Sequence, residues 1–236
     1  MMKKSSIEEI QERFDNDVER FSNIEIGQTS TVDAIISLEL ITESARRICP
    51  QAKNLLDIGC GAGNYTLKML SKIPNLNCTL VDLSSPMLNR AEERITSATT
   101  GKITTIQSDI RVVDLEPETY DIILAGAVLH HLRDDKDWEF VFSKLYVALK
   151  KGGCLMISDL ITQESEILNK YFNDKYIEYL SGLGGVEYAE KVLAYIEKED
   201  SPRSLNYQLD LMKKVGFTHT EILHKNLCFA AYCGIK

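Results

Sequence analysis

Short apolar segments alternate with helical segments over most of the chain, and this alternation limits the possible folds more than any other feature. Five apolar runs are long enough for strands, at residues 54–58, 78–81, 103–107, 120–125 and 154–158. Helical patterns fill intervals between them, at residues 64–73, 86–95 and 138–149. Strands that alternate with helices pair in parallel, because each crossover returns the chain to the same end of the sheet. The pattern predicts a parallel sheet with helices on both faces.

Both ends of the chain and one internal segment depart from this alternation. Residues 31–48 carry a helical apolar stripe ahead of the first strand. Residues 164–199 hold aromatic side chains at helical spacings, which indicates a helical insert. A last helix and the two strands of an antiparallel hairpin are predicted at residues 205–215, 221–224 and 227–233.

An excess of acidic residues gives the 236-residue chain a formal net charge of −8 and a pI of about 5.1. Such a surface repels phosphate backbones, so nucleic acid is a disfavoured partner. No apolar run approaches the roughly 18 residues that span a bilayer, and the charged residues 1–12 lack the apolar stretch of a signal peptide. We therefore expect a cytoplasmic protein without a membrane segment.

Six cysteines are scattered along the chain, and none are spaced as C-x-x-C. Most lie inside apolar segments, where a free thiol packs as a small apolar side chain. The pattern indicates buried free thiols in a reducing compartment. It also predicts no metal site.

The ends of the first three strands carry the pattern of a nucleoside-cofactor site. The first strand turns into a helix through Gly-Cys-Gly-Ala-Gly at residues 59–63, and glycines there let the backbone approach a ligand closely. Asp82 ends the second strand, 19 residues after the last of these glycines, where an acid holds the hydroxyls of a ribose. Asp109 and Ile110 follow the third strand, where a carboxylate could accept a hydrogen bond from an adenine amino group.

Asp57, just before the glycines, separates two classes of cofactor. NAD-binding folds use G-x-G-x-x-G and place a pyrophosphate at the helix N-terminus. Here the glycines read G-x-G-x-G, and the carboxylate of Asp57 would repel a pyrophosphate. A cofactor with a cationic amino group suits this position, so the physical chemistry favours S-adenosylmethionine over NAD.

This set of segments resembles the class I S-adenosylmethionine-dependent methyltransferases. The turn at residues 57–63 is similar to the first motif of that family, and Asp82, Asp109, the strand at residues 120–125 and the turn at residues 149–153 match the later motifs in order. The likeness covers residues 54–159 well and fits the two ends loosely. Lys151 departs from the pattern, since proline is usual there, but that turn is structural.

The resemblance implies a role for each matched residue. Gly59, Cys60, Gly61 and Gly63 would form the turn against the methionine part of S-adenosylmethionine, with Asp57 oriented towards its amino group directly or through water. Asp82 would bind the ribose hydroxyls. The adenine would lie between Leu83 and Met87, with its edge at Asp109 and Ile110, and Ala125 would lie near the sulfonium. The product would be S-adenosylhomocysteine.

His130 and His131 are the candidate catalytic residues. They follow the fourth strand, and so belong to the carboxyl edge of the sheet, where open α/β folds bind ligands. Histidine can accept a proton near pH 7, and similar pairs recur in small-molecule methyltransferases of this class. The alternative is that one or both only hydrogen-bond their loop.

The sequence thus predicts a Rossmann-like α/β fold: a mostly parallel seven-stranded sheet with helices on both faces, a C-terminal antiparallel hairpin and a helical cap. One domain would comprise an N-terminal helical cap, a cofactor-binding core, a helical insert over the active site, and a C-terminal helix with hairpin, at residues 1–50, 51–162, 163–200 and 201–236. The expected partner is a small-molecule methyl acceptor, and the expected assembly a monomer or homodimer.

Two other functions remain open at this point. One is a tRNA-modification enzyme related to carboxy-S-adenosylmethionine synthase, whose helical insert carries an arginine for the extra carboxylate. Residues 188–200 here contain Lys191 and Lys198 but no arginine, which argues against it. The other is a protein that binds S-adenosylmethionine without catalysis.

Overall fold

A computed structural model describes residues 4–236, apart from the side chains of residues 24 and 25, so the first three residues of the predicted cap lie outside it. The helices, numbered α1 to α9 in chain order, are Ile7–Asp15, Val18–Ser22, Ile24–Gly27, Ala34–Ile48, Asn64–Lys72, Ser85–Thr96, Asp135–Ala148, Glu166–Glu199 and Leu205–Val215. The strands, β1 to β7, are Asn54–Ile58, Asn77–Asp82, Ile103–Gln107, Tyr120–Gly126, Leu149–Leu160, His219–Asn226 and Phe229–Ile235.

Within the described residues these strands form a seven-stranded sheet in the order β3-β2-β1-β4-β5-β7-β6. The strands β1 to β5 pair in parallel, while β7 runs antiparallel to β5 and β6 antiparallel to β7. This confirms the predicted mostly parallel sheet and its C-terminal hairpin. The strand order reverses between β1 and β4, and ligands bind in the crevice that such a reversal leaves at the carboxyl edge.

The first strand is buried on both sides, as expected for the centre of a covered parallel sheet. Leu55 packs in a cluster with Ile41 of α4 and Met69 of α5 on one face. Leu56 packs with Trp138 of α7, in a second cluster on the other face. Because successive side chains of a strand point to opposite faces, β1 holds both helical layers at once.

Trp138 anchors the α7 layer and offers a test of the core. Its side chain is fully buried, with its ring 5.7 Å from that of Phe142 and 6.2 Å from that of Tyr207 between centroids. Trp138→Ala is expected to lower the free energy of unfolding in urea by about 3–5 kcal/mol, through lost burial and the cavity left behind. The control is Phe140→Ala on the same helix, which is 54% exposed and should cost less than about 1 kcal/mol. Equal losses would contradict this account of the core.

The predicted insert is helix α8, which lies over the carboxyl ends of the sheet. Tyr176 and Leu180 pack in one cluster with Leu160 at the end of β5. The helix is broken at Gly184 and Gly185, whose φ/ψ angles of −148°/15° and 81°/178° are not helical. These two glycines therefore separate α8 into two helical halves.

No helix found within residues 4–236 is long and apolar enough to span a bilayer.

Candidate active site

The turn after β1 depends on glycine at two positions for packing. Gly59 and Gly63 have φ angles of +62° and +82°. A Cβ on Gly59 would lie 2.5 Å from Cγ2 of Val128, and one on Gly63 would lie 3.0 Å from Cδ1 of Ile95. Gly61 also has a positive φ, of +50°, but a Cβ there would meet no described atom within 4 Å. Its backbone therefore faces open space.

Asp82 links this turn to the end of β2. Its Oδ2 accepts a hydrogen bond from the Gly61 amide at 2.8 Å, and its Oδ1 accepts one from the Ser84 amide at 2.9 Å. Burial raises the pKa of Asp82 above its ordinary value, and the two amide donors oppose that rise. The side chain is held in one orientation while part of it stays accessible.

Most of the predicted cofactor residues line one cavity at the carboxyl edge of the sheet, which we call the first cavity. They are Gly59, Cys60, Gly61, Asp82, Leu83, Met87, Asp109 and Ile110. Phe14 and Phe21 of the N-terminal helices also line it, so the segment before the sheet contributes to the wall.

Three of the predicted cofactor residues do not line the first cavity. Asp57 is 1% exposed, accepts a hydrogen bond from the Thr66 hydroxyl at 2.7 Å, and has a pKa that burial raises to about 7. Gly63 begins α5 behind the turn. Ala125 is fully buried within β4, and the next two residues, Gly126 and Ala127, line the cavity in its place. The carboxylate of Asp57 is therefore not placed to contact a ligand in the first cavity directly.

The carboxylate of Asp109 is already engaged by Arg111. The Arg111 amide and Nε donate to Oδ1 at 2.7 Å and 2.9 Å. Burial disfavours ionisation of Asp109, but these donors outweigh it and lower its pKa. Arg111 also reaches Asp137 of α7 at 3.3 Å, so it fixes the third strand's loop against that helix. No sequence pattern pointed to Arg111.

His130 is held by Asp159 at the end of β5. One Asp159 oxygen is hydrogen-bonded to Nδ1 of His130, and the other accepts the amides of Leu129 and His130 at 2.8 Å and 3.2 Å. Burial lowers the pKa of His130, but the carboxylates of Asp159 and Asp200 more than offset this and raise it to about 9. His130 is therefore anchored to the carboxyl end of β5.

His131 has a different environment, although its ring lies only 4.3 Å from that of His130 between centroids. Its Nδ1 lies 3.3 Å from Oδ1 of Asp200, without the alignment of a hydrogen bond. Burial and the neighbouring charge of His130 lower the pKa of His131, so the neutral ring is favoured near pH 7. A neutral imidazole can accept a proton or bind a cation.

Sequence reasoning missed both carboxylates that face the histidines. Asp159 ends a strand at the same edge as His130, and that position could have drawn attention to it. Asp200 only follows the long helix α8, and its contact with His131 joins residues 69 apart in the chain. No local pattern reveals such a contact.

A second cavity, of about 590 Å³, adjoins the first. It is lined by both histidines, Asp159 and Asp200, and by aromatic side chains of α8. Those aromatic residues are Tyr176, Tyr188 and Tyr195. Two other aromatic residues of α8, Tyr171 and Phe172, are not among its lining residues.

The first cavity fits S-adenosylmethionine in its chemistry. The open backbone of Gly61 leaves room for a ligand against the turn, and Asp82 supplies a fixed carboxylate for a pair of hydroxyls. Leu83, Met87 and Ile110 give the cavity an apolar part suited to a purine.

Gly59 allows a test of the turn. Gly59→Ala is expected to destabilise the protein and to weaken cofactor binding at least tenfold, because the new Cβ would collide with Val128 and the positive φ would cost about 1–2 kcal/mol. Gly152→Ala is the matched control, since that φ is also positive, at +79°, but no described atom lies within 4 Å of the new Cβ. The control should show the backbone cost alone, with cofactor affinity unchanged in calorimetry. Similar cofactor binding by both variants would contradict the role given to the turn.

Comparison with known proteins agrees with this geometry. Residues 55–153 match the family described as methyltransferase domain. A carboxy-S-adenosyl-L-methionine synthase of Shewanella sediminis is 27% identical over 188 residues, 78% of this chain and 76% of that protein. A malonyl-[acyl-carrier protein] O-methyltransferase of Paenibacillus is 26% identical over 172 residues, 72% of this chain and 61% of that protein.

Among solved structures, human N-acetylserotonin methyltransferase in complex with S-adenosylmethionine has a TM-score of 0.63 at 14% identity. The match covers 99% of this chain and 63% of that one. The matched family domain contains the glycine turn and Asp82, and the TM-score of 0.63 shows that the fold is shared with the solved methyltransferase. Residues 55–153 therefore match a methyltransferase domain, and the chain shares its fold with a methyltransferase solved in complex with S-adenosylmethionine.

Proposed function

We propose that the protein transfers the methyl group of S-adenosylmethionine to a small organic acceptor bound in the second cavity. The observation that carries the proposal is that the two cavities have lining residues in common. Both are lined by Phe14, Phe21, Gln28, Tyr65, Ala127 and His131. A ligand in the second cavity would therefore lie next to a cofactor in the first.

The size and lining of the second cavity favour a compact acceptor with an apolar part. A cavity of about 590 Å³ lies within the range of about 300–1,000 Å³ common for small-molecule sites. Tyr176 is buried, while Tyr188 and Tyr195 are half-buried in the wall, so aromatic surface is available for contact. Such a cavity suits a small molecule better than a folded nucleic acid.

The charges of the second cavity support the same reading. Arg13 donates to Glu199, with 3.0 Å between Nη2 and Oε2, and Arg20 pairs with Asp17 at 3.2 Å. Both guanidinium groups are thus already paired with a carboxylate. The net charge of −8 also opposes a polyanionic partner.

The chemistry needs alignment and, for a protonated nucleophile, a base. Bound S-adenosylmethionine supplies a methyl group that its sulfonium has already activated. The chain must bring the acceptor atom in line with that methyl group and exclude water. His131 lies at the junction of the two cavities and favours the neutral state, so it is the residue we assign to remove the acceptor's proton.

The name of the Paenibacillus relative, an O-methyltransferase, favours oxygen as the accepting atom. A hydroxyl needs a base near neutral pH, which agrees with the position of His131.

A second candidate is the formation of carboxy-S-adenosylmethionine, favoured by the name of the Shewanella relative. The part of the insert at residues 188–200 contains no arginine. The structure brings Arg13 and Arg20 to the second cavity from the N-terminal helices instead. Their existing carboxylate partners are the reason we rank this function second.

One incubation separates the candidates. The full-length protein is mixed with S-adenosylmethionine labelled in the methyl group and with a size-fractionated cell extract. We expect label in the small-molecule fraction together with S-adenosylhomocysteine. Salt-sensitive label in the RNA fraction would contradict the proposal. A cofactor that gains the mass of one carboxyl group would replace it with the second candidate.

A further inference from the structure

Three side chains of the kinds that bind metal ions lie close together in the lining of the second cavity, and the proposed methyl transfer uses only one of them, His131. His130, His131 and Asp200 each offer one atom, and these atoms lie within 4.8 Å of one another. Oδ1 of Asp200 is 3.3 Å from Nδ1 of His131 and 3.7 Å from Nε2 of His130. Two atoms bound to one ion at about 2.1 Å lie roughly 3.0–3.4 Å apart at common coordination angles. Small side-chain shifts would therefore place all three around one ion.

Two of these atoms are buried without a hydrogen bond in the described part of the chain. Oδ1 of Asp200 and Nδ1 of His131 have no such partner, and the Asp200 side chain is only 2% exposed. An unsatisfied carboxylate oxygen in such a place is costly. A cation between the carboxylate and the two rings would satisfy both groups.

The contact between His130 and Asp159 matches the surroundings of a metal-binding histidine. Asp159 is hydrogen-bonded to Nδ1 of His130, which fixes the ring, and Nε2 of the same ring lies on the side of Asp200. Metal-ligating histidines commonly use their second nitrogen in this way, and the carboxylate orients the ring.

We propose that His130, His131 and Asp200 bind a divalent transition-metal cation, whose open coordination positions face the second cavity and hold an oxygen atom of the acceptor. The cation type follows from the ligands, because two imidazoles with one carboxylate suit Zn²⁺, Co²⁺, Mn²⁺ or Fe²⁺ better than Mg²⁺ or Ca²⁺. All three residues line the second cavity, so a bound ion is accessible from it.

This inference rests on the proposed function for the identity of the acceptor, but not for binding of the ion. With the cation bound, the ion takes over from the His131 base by lowering the pKa of a bound hydroxyl, whose proton passes to water. The substrate class then narrows to acceptors with a hydroxyl, or another oxygen, near the methylated atom.

The test is a titration of the metal-free, tag-free full-length protein with Co²⁺, followed by visible absorption and calorimetry. We expect one equivalent bound with an affinity in the micromolar range. Asp200→Asn and His131→Gln should each weaken binding at least tenfold, and Asp159→Asn by about 10–100-fold through loss of ring orientation. His219→Gln changes an exposed histidine outside the cavity and should leave the titration unchanged.

Circular dichroism and thermal unfolding of each variant show whether it is folded. Absence of Co²⁺ binding, or equal binding by folded Asp200→Asn, would overturn the metal site. Methyl transfer that continues in a chelator, with no Co²⁺ bound, would support the proposed function and contradict a metal ion at this site. Stoichiometric Co²⁺ binding that Asp200→Asn abolishes, without any methyl transfer, would support the metal site and contradict the proposed function.

Discussion

Replacing His131 by Gln is expected to lower kcat about a hundredfold or more, which is the usual contribution of a positioned proton acceptor. The affinity for S-adenosylmethionine should stay nearly unchanged, because the loss would be in the transition state. The expectation holds whether His131 takes the acceptor's proton itself or holds a cation that lowers the pKa of the acceptor's hydroxyl. Steady-state kinetics with the identified acceptor and calorimetry with the cofactor measure the two quantities.

Two further variants show whether the effect belongs to His131. His219→Gln, which changes an exposed residue of the C-terminal hairpin, should retain parental kcat. His130→Gln should lower stability as well as kcat, because it leaves the fully buried carboxylate of Asp159 without its ring partner. Near-parental turnover in both His130→Gln and His131→Gln would show that the pair is structural and that alignment suffices for catalysis.

Removing the Asp82 carboxylate is expected to weaken S-adenosylmethionine binding by about 10- to 100-fold, since a hydrogen bond to a charged group contributes about 1.5–3 kcal/mol. Asp82→Ala would remove the group we assign to the ribose hydroxyls. It would also free the amides of Gly61 and Ser84, which the carboxylate now accepts at 2.8 Å and 2.9 Å. Calorimetry gives the dissociation constant directly.

Asp82→Asn separates these two contributions, because an amide oxygen can still accept one backbone bond but has no charge. We expect it to bind the cofactor with intermediate affinity. Asp210→Ala removes an acid whose side chain is 76% exposed on α9, and it should leave binding unchanged. Parental affinity in Asp82→Ala would exclude the ribose assignment.

The part of the site that the sequence predicted is the part made by one short segment or by consecutive strand ends. The glycine turn and Asp82 could be found because the turn is local and parallel strands end at one edge of the sheet. His130 and His131 were found for the same reason. Asp57 shows what a local pattern leaves out, because the structure buries its carboxylate against Thr66, which the motif does not indicate.

The remaining site residues come from segments that are distant in the chain. Phe14 and Phe21 line both cavities from the N-terminal helices. Arg13 also lines the second cavity from these helices, outside the insert in which an arginine was expected. Such contacts depend on how helices pack over the sheet edge. No periodicity within a segment encodes which distant segment it will meet.

Local sequence patterns are therefore enough to predict the strands and helices, the parallel sheet, its C-terminal hairpin and the edge of the sheet that binds the cofactor, because hydrophobic periodicity and glycine geometry are local properties. The environments of the two adjacent histidines instead depend on contacts between distant segments. Asp159 anchors one and Asp200 faces the other, across 29 and 69 residues of chain respectively. The carboxylates raise the pKa of His130, whereas burial and the charge of His130 lower the pKa of His131, and a sequence motif cannot specify either effect.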